Sequence, residues 1–332
     1  MSVLDEIYRK AKRDPKKVAF PEAANEKMMQ AAYETGKEGY IVPVLVGDGC
    51  QIREAIKERG YEESVFTIVD ISQEEYKKSL IDKYVALPQT ILKEKPLSRR
   101  MQNPLYYAMV MQAVGEADVT FAGIDNTTGD VLLAGQMMIG LKEGISTISS
   151  IGLCDIPGFQ GSEGSLLAIG DSAVCTNPDA RQLADIAVSA CDTVKELLDW
   201  EPRCAMVSYS TLGSGQGELI DKVVNAVAIA NEQRPDLAID GEFQFDAAIS
   251  PDVAKKKVGR ESKVAGKANI VIWPDLNVGN VGVKLIQQFG HADAYGPMLQ
   301  GFAKVICDCS RGAPVSEIKG NIVISAVRAS AG

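Results

Sequence analysis

Apolar residues in this chain gather in short, nearly unbroken runs rather than in alternation. They include KVAFP (Lys17–Pro21), IVPVLV (Ile41–Val46), VFTIV (Val65–Val69) and VTFAG (Val119–Gly123). Further along come CAMVSYS (Cys204–Ser210), LAID (Leu237–Asp240) and NIVIW (Asn269–Trp273). A strand with one wet face would show every second residue polar, so these strands are buried on both faces. Segments of helical period separate them: Asn25–Glu38, Gln51–Arg59 and Gln73–Tyr84 among the first. Strand, helix and strand in succession predict an α/β fold with mainly parallel sheets.

At 332 residues the chain is long enough for two domains. The Gly-rich stretch Gly152–Gly170 reads as loop and hairpin, and a second run of alternating elements begins after it. One packing helix is read from Asn177 as N-cap, Pro178 at the first helical position and Asp179 in the first turn. Its apolar stripe runs from Leu183 through Ile186, Ala190, Val194 and Leu197. The basic stretch Leu92–Arg100 reads as a solvated loop before a helix.

Several function classes are disfavoured at once. Lys+Arg 35 against Asp+Glu 44 gives a net charge of −9, which argues against nucleic-acid binding. A single histidine, His291, argues against a His-ligated metal site and against a Ser-His-Asp triad; no metal is expected. The N-terminal MSVLDEIYRKAKRDPKKVAF carries charges every few residues, unlike a signal peptide, and no run suits a membrane span. Seven irregularly spaced cysteines then predict reduced thiols and a cytoplasmic protein. Cys307 and Cys309 read as small residues at a strand end.

Ligands of doubly wound folds bind where strands run into helices, and three such loops are unusual. GIDNTTGD (Gly123–Asp130) puts two hydroxyls at a helix start, with Asp130 or Thr128 as the cap. It reads equally as an anion seat or as a capping loop. SYSTLGSGQG (Ser208–Gly217) resembles a phosphate-binding turn but lacks the P-loop lysine. DCSRGAPVSE (Asp308–Glu317) offers Arg311 to a phosphate or carboxylate. Glu317 falls in the first turn of the last helix, where the helix field favours the carboxylate, so a base there needs burial to raise its pKa.

Four spaced motifs carry a wider resemblance: SYSTLGS (Ser208–Ser214), IDGEFQFDAAI (Ile239–Ile249), VAGKANIVIWPDLNVGN (Val264–Asn280) and ADAYGPMLQGFAKVICDCSRG (Ala292–Gly312). With these the chain resembles the phosphotransacetylase family, phosphate acetyltransferases and phosphate butyryltransferases, over nearly its whole length. The resemblance implies two α/β/α domains with an interdomain cleft and a homodimer. Domain I would take residues 1–145 and 300–332, and domain II residues 146–299. The implied reaction moves a short acyl group between coenzyme A and phosphate. A base deprotonates the thiol, and the thiolate attacks an acyl phosphate in a ternary complex, with coenzyme A as substrate and no permanently bound cofactor.

By the same resemblance Ser310, Arg311 and Glu317 are the catalytic residues, with Ser310 and Arg311 also meeting coenzyme A. Thr127, Thr128 and Asp130 fall on the phosphate-binding loop. Glu317 replaces a family aspartate with a side chain one methylene longer. Other positions depart: Leu133 and Leu212 stand where the family has Arg and Lys, Asn126 where it has His, and the stretch near Leu87–Gln89 lacks an Arg. Ala313 and Cys307 also differ from the pattern. Fewer cations at an oxyanion site also suit a same-fold acyltransferase with a non-phosphate acceptor, or a non-catalytic acyl-CoA-binding paralogue. A dehydrogenase would want a GxGxxG after the first strand, and there is none.

Overall fold

In the computed structural model, which describes residues 3–88, 90 and 92–331, the apolar runs become strands close to where the sequence puts them. Gln89, the last residue of the stretch noted for its missing arginine, lies outside the described residues, as do the terminal residues 1, 2 and 332. The chain starts α1 (Val3–Arg13), β1 (Lys16–Phe20), α2 (Glu26–Lys37), β2 (Ile41–Gly47), α3 (Gly49–Glu58), β3 (Thr67–Asp70) and α4 (Glu74–Val85). It continues α5 (Glu94–Arg100), α6 (Pro104–Ala113), β4 (Val119–Ala122) and α7 (Thr128–Met138). Next come β5 (Ser149–Asp155), β6 (Leu166–Gly170), α8 (Ala180–Leu198), β7 (Arg203–Val207), α9 (Glu218–Gln233) and β8 (Ala238–Phe243). Then follow α10 (Phe245–Ile249), α11 (Pro251–Lys257), β9 (Ile270–Ile272), α12 (Leu276–Gly290) and β10 (Asp293–Gln300). The last elements are β11 (Ile306–Asp308) and α13 (Val315–Ala331).

Two compact units result: Met1–Lys142 with Phe302–Gly332, and Glu143–Gly301. The first holds a sheet of order β11-β4-β1-β2-β3, parallel throughout. The chain lays down β1, β2 and β3 in one direction, then returns to place β4 on the other side of β1. That reversal makes the carboxyl ends of β1 and β4 the topological switch point of this sheet. Its core joins Val18, Phe20, Leu45 and Phe121 to Ile318 and Ile322 of the returning α13.

The second unit holds a sheet of order β10-β5-β6-β9-β7-β8. β6, β9, β7 and β8 are parallel, whereas β10 and β5 add an antiparallel edge. Its core centres on Ile169, Ala205, Phe243 and Val271. Asp171, at the end of β6, is buried and accepts four hydrogen bonds. Ser150 Oγ donates at 2.5 Å, Ala173 N at 2.9 Å, Val174 N at 3.1 Å and Cys175 N at 2.7 Å.

Four sequence expectations are corrected here. The long helix starts two residues late, because Asp179 and Gln182 form a reciprocal capping box (2.9 and 3.0 Å) that outcompetes Asn177. Asn177 instead accepts from Lys222 Nζ at 3.2 Å. Leu92–Arg100 is mostly the helix α5, which tolerates Pro96 because its first-turn amides need no partner within the helix. The strand read through Ser210 ends at Val207, where a register shift against β8 breaks the ladder. Gly152–Gly170 is a hairpin, but most of its two ends belong to β5 and β6.

Asp171→Asn sets an amide donor or a poorer acceptor against those four donors. We expect it to cost about 2–4 kcal/mol, because a buried donor left without its acceptor carries its full desolvation penalty. The shift in denaturation midpoint at unchanged slope measures this.

Candidate active site

The site is built on the carboxyl edge of the first unit's sheet. Glu22 follows β1 and is only 5% exposed, a placement that a carboxylate tolerates only with donors around it. Its Oε1 accepts from Gly123 N (3.0 Å), Asn126 N (2.8 Å) and Asn126 Nδ2 (2.7 Å), and its Oε2 from Ile124 N (2.9 Å). One side chain from β1 therefore sets the whole loop after β4. Asn25 adds a second tie, capping α2 and donating to Asp125 Oδ1 at 2.9 Å. Gly123 sits at φ +111°, and a Cβ there would lie 2.3 Å from Asp308 Oδ1 and 2.5 Å from Cys309 N. Only glycine lets the loops after β4 and β11 approach so closely.

Thr127, not Thr128 or Asp130, caps α7. Its Oγ1 accepts from Asp130 N (3.1 Å), and its N–H donates back to Asp130 Oδ2 (3.1 Å). The threonine hydroxyl also donates to that Oδ2 at 2.6 Å. Thr128 donates its hydroxyl to Asp308 Oδ2, likewise at 2.6 Å, and so ties α7 to the end of β11. Both hydroxyl protons are thus held by carboxylates, and the threonines offer an anion no hydroxyl donor in this arrangement. What the loop does present is the start of α7. Val131 N is the first amide to bond back, to Thr127 O at 3.1 Å, and the amides of Thr128 and Gly129 have no acceptor among the described residues.

After β11 the chain turns through Cys309–Pro314, with Ala313 N bonded to Ser310 O at 3.0 Å. Lys27 Nζ supports this turn by donating to Ala313 O at 3.2 Å. Ser310 and Arg311 are exposed. Arg311 makes no hydrogen bond or ion pair among the described residues, yet its charge is felt by Asp130 and Asp308. Thr127's hydroxyl, its amide and then Arg311 hold the Asp130 carboxyl below the usual range. Burial pushes Asp308 the other way, opposed by the Thr128 hydrogen bond and Arg311 and reinforced by Glu22. Asp308 Oδ1 is buried without a partner.

Glu317 lies in the first turn of α13, and burial raises its pKa. Burial thus acts in the direction a base needs, against the helix field. Burial also pushes Cys307 up to about 12 and Cys309 upward with it, so neither thiol is an ionised nucleophile at neutral pH.

In Ser208–Gly217 the polar groups turn inward. Ser210 Oγ and Gly213 N both donate to buried Glu242 Oε1 at 2.8 Å, and Thr211 Oγ1 accepts from Gln244 N. The Glu242 carboxylate and the backbone organise that turn. Leu133 is exposed on α7, and Leu212 holds a left-handed φ of +47°. Among alternative cations, Arg100 packs over the Tyr106 ring at 5.2 Å, while Arg99 is exposed. Glu22 and Asp308 were not singled out as functional residues from sequence. The available signal was an acidic residue directly after an apolar run, on the edge where loops meet.

A family model described as phosphate acetyl/butaryl transferase matches residues 2–326. The chain belongs to that family. A phosphate acetyltransferase of Clostridium acetobutylicum is 39% identical over 336 residues, covering 100% of both chains. One from Acetivibrio thermocellus is 36% identical, over 99% of this chain and 98% of its own. A crystal structure of a phosphotransacetylase from Streptococcus pyogenes superposes with a TM-score of 0.91 at 32% identity, covering 100% of each chain. The chain is accordingly an enzyme, a phosphate acyltransferase.

Glu22→Gln replaces part of a four-bond acceptor with a donor. Expected are a loss of about 2–3 kcal/mol in stability and faster amide hydrogen exchange at Gly123, Ile124 and Asn126 than elsewhere in the sheet.

Proposed function

We propose that the loops after β4 and β11 carry acyl transfer between an acyl phosphate and coenzyme A. The observation that carries this reading is an exposed, unpaired Arg311 beside a helix start whose first amides are free. Arg311 and the amides of Thr128 and Gly129 take the phosphate oxygens. Glu317 accepts the thiol proton, its pKa raised toward the working range by burial. The thiolate attacks the acyl carbon and the bond from that carbon to the phosphate oxygen breaks. Ser310 donates its hydroxyl to the charge developing on the carbonyl oxygen. Acyl-CoA and phosphate leave, and the Glu317 proton returns to solvent. Thr127, Thr128 and Asp130 serve by fixing the start of α7 in place. Family membership and the free arginine favour phosphate over a neutral acceptor, despite Leu133 and Leu212.

The working form in this reading is a cytoplasmic homodimer. Among the described residues no helix is long and apolar enough to cross a membrane. On α12, Val278, Val281, Leu285 and Phe289 are exposed at three- and four-residue steps, Phe289 by 81%, along a helix whose one charge is Lys284. Such a seam suits the same face of a second copy across a two-fold axis.

Thioester formation from coenzyme A with acetyl, propionyl or butyryl phosphate tests the reaction, and no turnover across that series would refute it. In Glu317→Gln, kcat is expected to fall by about 10²–10⁴. Wild-type activity should decline as pH drops through the raised Glu317 value, and the variant should lack that limb. Stability moves oppositely, because burial penalises the ionised form. Glu317→Gln should be the more stable protein above the raised value, and the advantage should vanish below the ordinary carboxyl range. Leu285→Glu with Phe289→Glu should halve the mass seen by light scattering; an unchanged mass would remove α12 from the interface.

A further inference from the structure

We infer that Asp308 is a positioning residue that binds a proton together with the substrate phosphate. As the phosphate settles at the start of α7, Asp308 takes a proton from solvent and donates it in a hydrogen bond to Thr128 Oγ1. The Thr128 hydroxyl then turns its own proton to the anion. This rests on the acyl-transfer reading above for the place of the phosphate.

The two acids at this edge of the sheet are met very differently. Glu22 accepts from four donors, so its charge is compensated in place. Asp308 is not so provided. Its Oδ2 lies 2.6 Å from Thr128 Oγ1, and its Oδ1 is buried with no hydrogen-bond partner. The loop after β4 packs against that second oxygen, so closely that a Cβ on Gly123 would stand 2.3 Å from it. An ionised Asp308 therefore keeps a bare buried oxygen within reach of the Glu22 charge. The neutral acid carries a far smaller desolvation cost.

The 2.6 Å separation suits donation in either direction. With Asp308 ionised, the threonine gives its one proton to Oδ2, and none is left for a ligand. With Oδ2 protonated, the acid donates to Oγ1 and the threonine proton is released outward, since a hydroxyl accepts and donates at once. Thr128 is exposed and lies in the first turn of α7, where the amides of Thr128 and Gly129 have no acceptor among the described residues. The surrounding groups favour the exchange. Burial raises the Asp308 pKa, the Thr128 hydrogen bond and Arg311 oppose it, and Glu22 adds to it. Cys307 and Cys309, on either side of it in the chain, are kept neutral by burial, and Asp130 on α7 is engaged by Thr127. A phosphate on Arg311 offsets the cation that supports ionised Asp308 and brings negative charge of its own. Proton and phosphate thus favour each other's binding.

Calorimetric titration of the full chain with inorganic phosphate, in buffers of different ionisation enthalpy, counts the protons taken up on binding and needs no turnover. Comparing wild type with Asp308→Asn cancels the titration of phosphate itself. Above the raised Asp308 value, wild type should take up more than the variant, by as much as one proton per phosphate. Its affinity relative to the variant should fall by up to about tenfold per pH unit. In Asp308→Asn the amide donates to Thr128 at every pH, so phosphate should bind at least as tightly as to wild type. Thr128→Val should bind about tenfold more weakly with the extra proton reduced, and Thr128→Ser should restore both. Equal proton counts in wild type and Asp308→Asn, or weaker binding to that variant at neutral pH, overturn the inference and leave the Thr128 tie purely structural. If Asp308→Asn does not fold, the two Thr128 variants decide, and any other pattern in them overturns it. Absence of phosphate binding to wild type overturns it as well. Should phosphate bind with the extra proton while no acyl-CoA forms, the inference stands and the acyl-transfer reading falls alone.

Discussion

A carboxylate buried at the end of a strand has to be met by donors, and in this molecule the donors are the amides of neighbouring loops. Glu22 takes four hydrogen bonds from the segment after β4 and so joins the two strands between which the first sheet reverses. Leaving such a group unsatisfied would cost several kcal/mol, a large part of the whole stability of a domain. The loop therefore has one conformation in which the charge is tolerable. The second unit uses the same device. Asp171 orders the loop after β6, and Glu242 orders the turn after β7. Asp185 holds Ser146 and Thr147 ahead of β5. These acids act on shape, and their chemistry is silent because every lone pair that matters is engaged.

This division of labour clarifies the two threonines. A hydroxyl has one proton, and each threonine gives it to an acid: Thr127 to Asp130 and Thr128 to Asp308. The pair thus acts through geometry, by fixing the start of α7, whose Asp130 feels the charge of Arg311. Glu317 shows the complementary balance. The field of α13 favours its ionised form, whereas burial raises its pKa. An aspartate one methylene shorter would sit at a different depth, so the longer side chain and the local burial must be read together.

Sequence carried the strands well, because a run such as Ile41–Val46 or Val119–Gly123 has no other economical use than a buried strand. It carried helix ends poorly. Asn177 and Asp179 are both good caps, and only the partner Gln182 decides between them. The charged stretch Leu92–Arg100 reads as loop, yet most of it is α5, with Pro96 in the first turn. Ser310, Arg311 and Glu317 enter the proposed site through motif and resemblance. Glu22 was not legible, since one acid after a strand looks like any surface acid until its depth is seen. The hydroxyl-rich loops were half legible: the residues were found, but where their protons point depends on acids far along the chain, such as Asp308, 180 residues from Thr128.

The first unit is assembled from two ends of the chain. Strand β11 is the outer neighbour of β4, and α13 supplies Ile318 and Ile322 to the core around Phe20 and Phe121. During synthesis the ribosome releases β1 through β4 long before either arrives, so the nascent sheet waits with β4 as a bare edge while the intervening unit is made. An exposed parallel edge is a template for wrong partners. The inserted unit has all its strands in one contiguous stretch and can fold as soon as it emerges, which leaves the final thirty or so residues to seal a sheet begun three hundred residues earlier.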